Sequence, residues 1–79
     1  YNTCIGTNAG GALTTSDHNV SVGYGAGGAI STGNGENVFV GNTAGAGVTT
    51  GTKNVFIGRA AGDAVSTVSG LVAVGYGAI

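Results

Sequence analysis

The stretch Asn37-Val38-Phe39-Val40-Gly41-Asn42-Thr43-Ala44-Gly45 decides the fold, because close copies of it recur along the whole chain. The copy at 54–62 reads Asn-Val-Phe-Ile-Gly-Arg-Ala-Ala-Gly, and looser copies begin at Asn2, Asn19 and Leu71. The glycine after the apolar pair lies at positions 6, 23, 41, 58 and 75, so successive copies are 17 or 18 residues apart. A short fixed period is typical of solenoid proteins, in which each repeat forms one coil and stacks on the next.

Each repeat contains two segments with strand character. In the third copy, Val38 and Val40 share one side of an extended segment, whereas Asn37 and Phe39 share the other, because successive side chains of a strand alternate. The second segment has an aliphatic residue at position 13, 30, 48 or 65 and ends in a polar turn. Glycine interrupts every window that is long enough for a helix. The pattern predicts an all-β fold, a parallel β-solenoid (β-roll) of 17–18 residues per coil with two short strands per coil.

The aliphatic side of the first strand, joined by the aliphatic residue of the second, is the expected core. Because the opposite side is then exposed on a single chain, we expect its phenylalanines, Phe39 and Phe56, to pack against a neighbouring chain. The predicted core residues are Val20, Val22, Val38, Val40, Val48, Val55, Ile57, Val65, Val72 and Val74.

A column of asparagines is predicted at the start of the coils. One asparagine precedes the first strand of each of the first four copies, so stacking brings its amide beside the amide of the next coil. Buried amides in such a column can hydrogen-bond from coil to coil and to turn backbone. The column comprises Asn2, Asn19, Asn37 and Asn54.

The chain is interpreted as one solenoid segment, 1–79, with repeats 2–18, 19–36, 37–53 and 54–70 and a partial repeat 71–79. With 18 glycines among 79 residues, its own core is thin, so it needs further repeats or other chains to bury enough surface. Both ends fall inside a repeat, which predicts that the segment is an excerpt of a longer fibre.

Charged residues are scarce, and this excludes several kinds of partner. Lys53 and Arg59 oppose Asp17, Glu36 and Asp63, for a net charge of −1. Two cations cannot form the basic face that binds nucleic acid or an anionic membrane. No apolar run reaches the length of a transmembrane helix. The sequence therefore predicts no nucleic-acid partner and no membrane insertion.

Motifs that could carry chemistry are better explained by the repeat. The segment 23–28 satisfies G-x-G-x-x-G, but a dinucleotide site needs a helix after it, so these glycines are interpreted as corner residues. The sequon at Asn19 belongs to the asparagine column, and Cys4 occupies a filler position. The acid–base or metal candidates do not recur in register, so no catalytic residue, metal site or cofactor is predicted. These candidates are Asp17, His18, Glu36 and Asp63.

The motif Asn-Val-x-Val/Ile-Gly-x-x-Ala-Gly, followed by the Thr-Thr-Gly turn at 49–51, resembles the head repeats of YadA-like trimeric adhesins. It is equally similar to the repeats of bacteriophage tail fibres, and the resemblance covers the whole chain. It implies a left-handed parallel β-roll, a homotrimer with three chains side by side, and a stiff rod that carries or forms a receptor-binding surface. It also implies an extracellular location, on a virion tail fibre or a bacterial cell surface.

The resulting hypothesis is a non-enzymatic fibre segment that presents a multivalent surface to a host receptor or glycan. Tyr24 and Tyr76 share one variable corner position and form the possible receptor surface, because aromatic faces can stack on sugar rings. Two alternatives stay open: a self-assembling extracellular filament and an ice-binding solenoid. The ice-binding alternative is motivated by a rank of hydroxyl pairs, although only one residue of each pair can lie on a given face. The pairs are Thr14-Thr15, Ser31-Thr32, Thr49-Thr50 and Ser66-Thr67.

Overall fold

The computed structural model of the chain describes residues 2–11, 18–28, 35–63 and 67–78. Within these ranges it contains five three-residue strands that pair in parallel, each with the next along the chain. The repeat therefore forms a β-solenoid in which each coil contributes one strand to a single sheet, as the period predicts. The strands are β1 (Thr3–Ile5), β2 (Val20–Val22), β3 (Val38–Val40), β4 (Val55–Ile57) and β5 (Val72–Val74).

The strands pair in strict register, so equivalent residues of successive coils stack on one another. Val38 lies between Val20 and Val55, and Phe39 lies between Ser21 and Phe56. The glycine after each strand permits this close stacking. Gly41 has a φ of +133°, and a Cβ atom there would lie 2.6 Å from the carbonyl oxygen of the corresponding glycine in the next coil.

The second predicted strand is absent from the third coil. Residues 48–50 form no strand, and the backbone N–H of Val48 donates to the carbonyl of Gly45 at 3.0 Å, within its own turn. A donor used locally is not available to a neighbouring coil. In the other coils this segment falls mainly on residues 12–15, 29–32 and 64–66, outside the described residues together with the predicted core residue Val65. Val48 itself is fully buried, as predicted.

The two faces of the sheet are the reverse of the prediction. Phe39 and Phe56 are fully buried within a single chain, with ring centroids 5.3 Å apart and an angle of 19° between the ring planes. The prediction that they are exposed on one chain and buried between chains is therefore wrong. The predicted core residues that lie instead on the outer face, half-buried or exposed, are Val20, Val22, Val38, Val40, Val55, Ile57, Val72 and Val74.

The reversal follows from what the interior must contain. A phenylalanine ring buries more apolar surface than a valine side chain, and two stacked rings also gain from their mutual contact. The chain leaves room for each ring by placing a glycine across from it. A Cβ atom at Gly45 would lie 2.6 Å from the ring of Phe39, and one at Gly62 would lie 2.4 Å from the ring of Phe56. The rest of the described core consists of Ala26, Ala44, Val48, Ala61 and Ala73.

The asparagine column is present on the inner side. The side-chain Nδ2 of Asn37 donates to Oδ1 of Asn19 at 3.0 Å, and Nδ2 of Asn54 donates to Oδ1 of Asn37 at 3.1 Å. Each of these acceptors also receives the backbone N–H of the following coil, and Oδ1 of Asn54 accepts from Leu71 N at 3.0 Å. Asn2 begins the described column by accepting from Asn19 at 3.2 Å. The column therefore ties the backbone of each coil to the side chain of the previous one.

Candidate interaction surface

The outer face of the sheet carries two straight files of mostly aliphatic side chains. We call these positions the aliphatic stripe. Parallel in-register pairing places successive members of a file about 4.8 Å apart, so the stripe is continuous from β1 to β5. The first file is Thr3, Val20, Val38, Val55 and Val72, and the second is Ile5, Val22, Val40, Ile57 and Val74.

The aliphatic stripe is open to solvent on a single chain. Its members Val20, Val22, Val38, Val40 and Val55 are half-buried. Val72, Val74 and Ile5 are 66%, 64% and 60% exposed, and Ile57 is 40% exposed. Monomeric soluble proteins rarely leave a continuous apolar patch uncovered, and such patches mark sites of association. The stripe is thus the strongest candidate interaction surface among the described residues.

A second exposed feature lies at the corner that follows each strand. Nη1 of Arg59 donates to the hydroxyl of Tyr76 at 3.1 Å, and the guanidinium carbon lies 5.6 Å from the centroid of the tyrosine ring. Tyr76 is therefore part of a cation–π pair. Tyr24 is also exposed, but it lies three coils away, about 14 Å along the solenoid. The structure does not bring the two tyrosines of the possible receptor surface together.

The glycine-rich segment 23–28 forms a corner in which the glycine N–H groups are already used by backbone carbonyls. The N–H of Gly25 donates to the carbonyl of Thr7 at 2.9 Å, and the N–H of Gly27 donates to the carbonyl of Ala44 at 2.8 Å. A phosphate-binding loop needs such N–H groups to point at its ligand. Here they hold neighbouring coils together instead.

The described residues that were considered for acid–base chemistry or metal binding do not form a cluster. His18 and Glu36 occupy one exposed column, Asp63 lies in a different turn, and Asp17 lies outside the described residues. Across the described ranges, no three His, Cys, Asp or Glu side chains are close enough to hold a metal ion. Cys4 is an exposed free thiol.

The glycosylation sequon at Asn19 is closed in the folded chain. Asn19 is fully buried, and its Nδ2 donates to Oδ1 of Asn2 at 3.2 Å. The structural role that the sequence predicts for Asn19 is the one that it has. The part of the chain that the structure describes contains no helix with the length and apolarity to cross a membrane.

The rank of hydroxyl pairs is described only in part. Thr49 is half-buried, Thr50 and Thr67 are exposed, and residues 14, 15, 31, 32 and 66 lie outside the described ranges. The described members belong to no strand. The aliphatic stripe, which sequence reasoning missed as a surface, is the more regular array. The signal for it was the alternation itself, since Phe39 shares its side of the strand with Asn37, a member of the buried column.

Comparison with protein-family models, with curated proteins and with solved structures gives no match to this chain. The function is therefore argued from the surface described above.

Proposed function

We propose that the chain is a non-enzymatic segment of an extracellular fibre, in which three copies lie side by side in parallel and contact one another through the aliphatic stripe. The fibre is a phage tail fibre or a bacterial surface adhesin, and each copy is a left-handed β-roll, as the sequence resemblance implies. The observation that supports the proposal best is the stripe. It is a continuous apolar surface, and its members Ile5, Ile57, Val72 and Val74 are among the exposed large hydrophobic residues of the described chain.

In the proposed assembly, the valines of the aliphatic stripe form the contact between copies, and the phenylalanines do not. Phe39 and Phe56 are fully used inside one coil stack, so they stabilise the individual chain. The stripe has the opposite character, with a flat apolar centre flanked by polar side chains, which is the usual composition of a subunit interface. An assembly of three copies removes the stripe from water and supplements the thin core of each roll.

Such a rod acts mechanically and by multivalency. Stacked coils with continuous backbone and asparagine ladders resist bending, and three copies present the same outer columns to a target. Linking weak contacts in this way raises the overall affinity by about two to four orders of magnitude over one contact. Tyr24, which is exposed and lies three coils from the Arg59–Tyr76 pair, is the aromatic group proposed to contact a host receptor or glycan.

Sedimentation velocity tests the assembly. The chain is fused to a parallel trimeric coiled coil through a cleavable linker, so that three copies are aligned, and the anchor is then removed. We expect the chain to remain trimeric after cleavage, and Val40→Lys to dissociate into monomers that keep their β circular-dichroism spectrum. Thr50→Lys, at an exposed position outside the sheet, is the matched control and should stay trimeric. A wild-type monomer at micromolar concentration, or a trimeric Val40→Lys, would overturn the proposal.

Ice binding is the second candidate, and one observation favours it. The stripe is a flat, two-file array of β-branched side chains with a regular repeat, which an ordered water layer could match. The same cleaved sample separates the two functions. If the stripe binds ice, the chain is monomeric and shows thermal hysteresis that Val40→Lys abolishes. If the stripe joins copies, no hysteresis is measured.

A further inference from the structure

Two columns of polar side chains border the aliphatic stripe. Positions 18 and 24 lie two residues before and two residues after the strand Val20–Val22, where the backbone turns, with φ of +61° at His18 and +124° at Gly23. Both side chains are exposed, so these two positions border the outer face of the second coil. The residue before the buried asparagine gives the leading rim, and the residue after the corner glycine gives the trailing rim. The leading rim is His18, Glu36, Lys53 and Gly70, and the trailing rim is Thr7, Tyr24, Asn42, Arg59 and Tyr76; all of these residues are exposed.

The side chains of the two rims differ in charge from coil to coil, whereas those of the aliphatic stripe are nearly identical. Successive members of the stripe are nearly identical, so two stripes in contact can slide by one coil with little change in apolar contact. Along the rims, by contrast, the charge changes from coil to coil. Glu36 lies shortly before β3, whereas Lys53 and Arg59 lie shortly before and after β4. The axial register of neighbouring copies must therefore be specified by the rims.

The charged rim groups have capacity for an external partner. Within the described part of the chain, the side chains of Glu36 and Lys53 take part in no ion pair or hydrogen bond. Arg59 uses one guanidinium nitrogen for the hydroxyl of Tyr76, which leaves its other donors facing solvent.

Parallel copies around a common axis bring the leading rim of one copy beside the trailing rim of the next. With equal coils at equal height, Lys53 meets Arg59, a like-charge contact, and Glu36 meets Asn42. When each leading rim meets the next higher coil, Glu36 meets Arg59 and Lys53 meets the ring of Tyr76. These contacts are an ion pair and a cation–π contact. Displacement in the opposite direction places Glu36 beside Tyr24 and Lys53 beside Asn42, which forms neither.

We infer that neighbouring copies in the fibre contact each other with an offset of one coil, so that Glu36 of one copy pairs with Arg59 of the next. The inference rests on the proposed function and specifies its register. A one-coil offset is compatible with a closed ring of three. It requires each strand to be inclined by roughly 14° to the plane perpendicular to the common axis, a rise of about 4.8 Å over a sheet width of about 20 Å.

Disulfide cross-linking tests the offset in the cleaved trimer. In a Cys4→Ser background, the double variant Glu36→Cys/Arg59→Cys is oxidised and run on a non-reducing gel. The two cysteines of one chain are at opposite margins of the stripe and cannot join each other. We expect a covalently closed trimer from this variant, and unlinked chains from the matched control Lys53→Cys/Arg59→Cys, which reports equal heights.

The outcomes separate the register from the proposed function. A trimer by sedimentation whose Lys53→Cys/Arg59→Cys variant cross-links, or in which neither variant does, overturns the one-coil offset and leaves the fibre assembly intact. A wild-type chain that sediments as a monomer overturns both. Cross-linking between singly substituted Glu36→Cys and Lys53→Cys chains would show antiparallel copies, and that too overturns the inference.

Discussion

At the scale of single residues, a few buried polar side chains hold the interior of the solenoid together by hydrogen bonds between coils. Oδ1 of Asn37 accepts the backbone N–H and the side-chain amide of Asn54, while its Nδ2 donates to Asn19 and to the carbonyl of Gly51 at 3.0 Å. One buried amide thus satisfies groups from three coils. The exposed Asn42 has no comparable set of contacts.

Alanine substitutions of Asn37 and Asn42 compare the stability contributed by a buried asparagine of the column with that contributed by an exposed one. Asn37→Ala leaves a buried N–H and a buried carbonyl without partners, so we expect a loss of about 1–3 kcal/mol for each group left unsatisfied. Asn42→Ala should change the free energy of unfolding by less than about 0.5 kcal/mol. Urea unfolding followed by circular dichroism gives both values, and equal losses at the two sites would show that the ladder contributes nothing specific.

Ser21 is a buried residue whose replacement by alanine should raise stability, in contrast to that of Asn37. It takes the position of the phenylalanines in the second coil, is fully buried, and its hydroxyl has no hydrogen-bond partner among the described residues. A buried hydroxyl without a partner is destabilising. We therefore expect Ser21→Ala to raise the free energy of unfolding, by up to about 1 kcal/mol, in the same urea experiment. A clear loss of stability in this variant would show that the hydroxyl does have a partner.

At the scale of the coil, the corners after β3 and β4 are packed against the phenylalanine rings that they cover. Gly45 and Gly77 both have left-handed backbones, with φ of +62° and +60°, but only Gly45 is packed against a phenylalanine. No atom lies within 4 Å of the position that a Cβ of Gly77 would occupy. The two glycines therefore share the backbone requirement and differ in the steric one.

Alanine at each position measures the two contributions. Gly77→Ala carries only the left-handed penalty of about 1–2 kcal/mol, whereas Gly45→Ala must also displace the ring of Phe39, at an additional cost of about 1–3 kcal/mol. Thermal melting of the two variants should give a markedly lower transition for Gly45→Ala. Coincident transitions would mean that Phe39 is not held beneath that corner.

The period of the sequence was enough to predict the coil, its parallel in-register pairing and the asparagine column, because each depends only on equivalent residues stacking. It was not enough to assign the faces. Alternation divides Val38 and Val40 from Asn37 and Phe39, but it does not say which side is inside. Aliphaticity favoured the valines, while the buried amide of Asn37 required the other side. The amide had the stronger requirement, since an unpaired buried amide costs more than an exposed valine.

At the scale of the whole molecule, the reversed faces give the chain two apolar regions with different roles. The inner region, with Phe39 and Phe56 at its centre, holds one chain together. The outer region, the aliphatic stripe, is the surface that we propose joins neighbouring copies. Sequence alone could not locate this outer apolar surface, because its location depends on which side of the strand is buried. The second strand was predicted from one aliphatic residue per coil, at positions 13, 30, 48 and 65. In the third coil that residue, Val48, is instead anchored by a local turn.

The most direct test of this division is the same substitution at two adjacent residues of β4. Val55 points outward and Phe56 points inward, so aspartate is introduced at one or the other and the circular-dichroism melting curve of each variant is measured. We predict that Val55→Asp keeps a β spectrum and a cooperative transition while losing assembly, and that Phe56→Asp has no cooperative transition, because a buried unpaired charge is not tolerated in so small a core. A cooperative melt for Phe56→Asp together with an unfolded Val55→Asp would contradict the account.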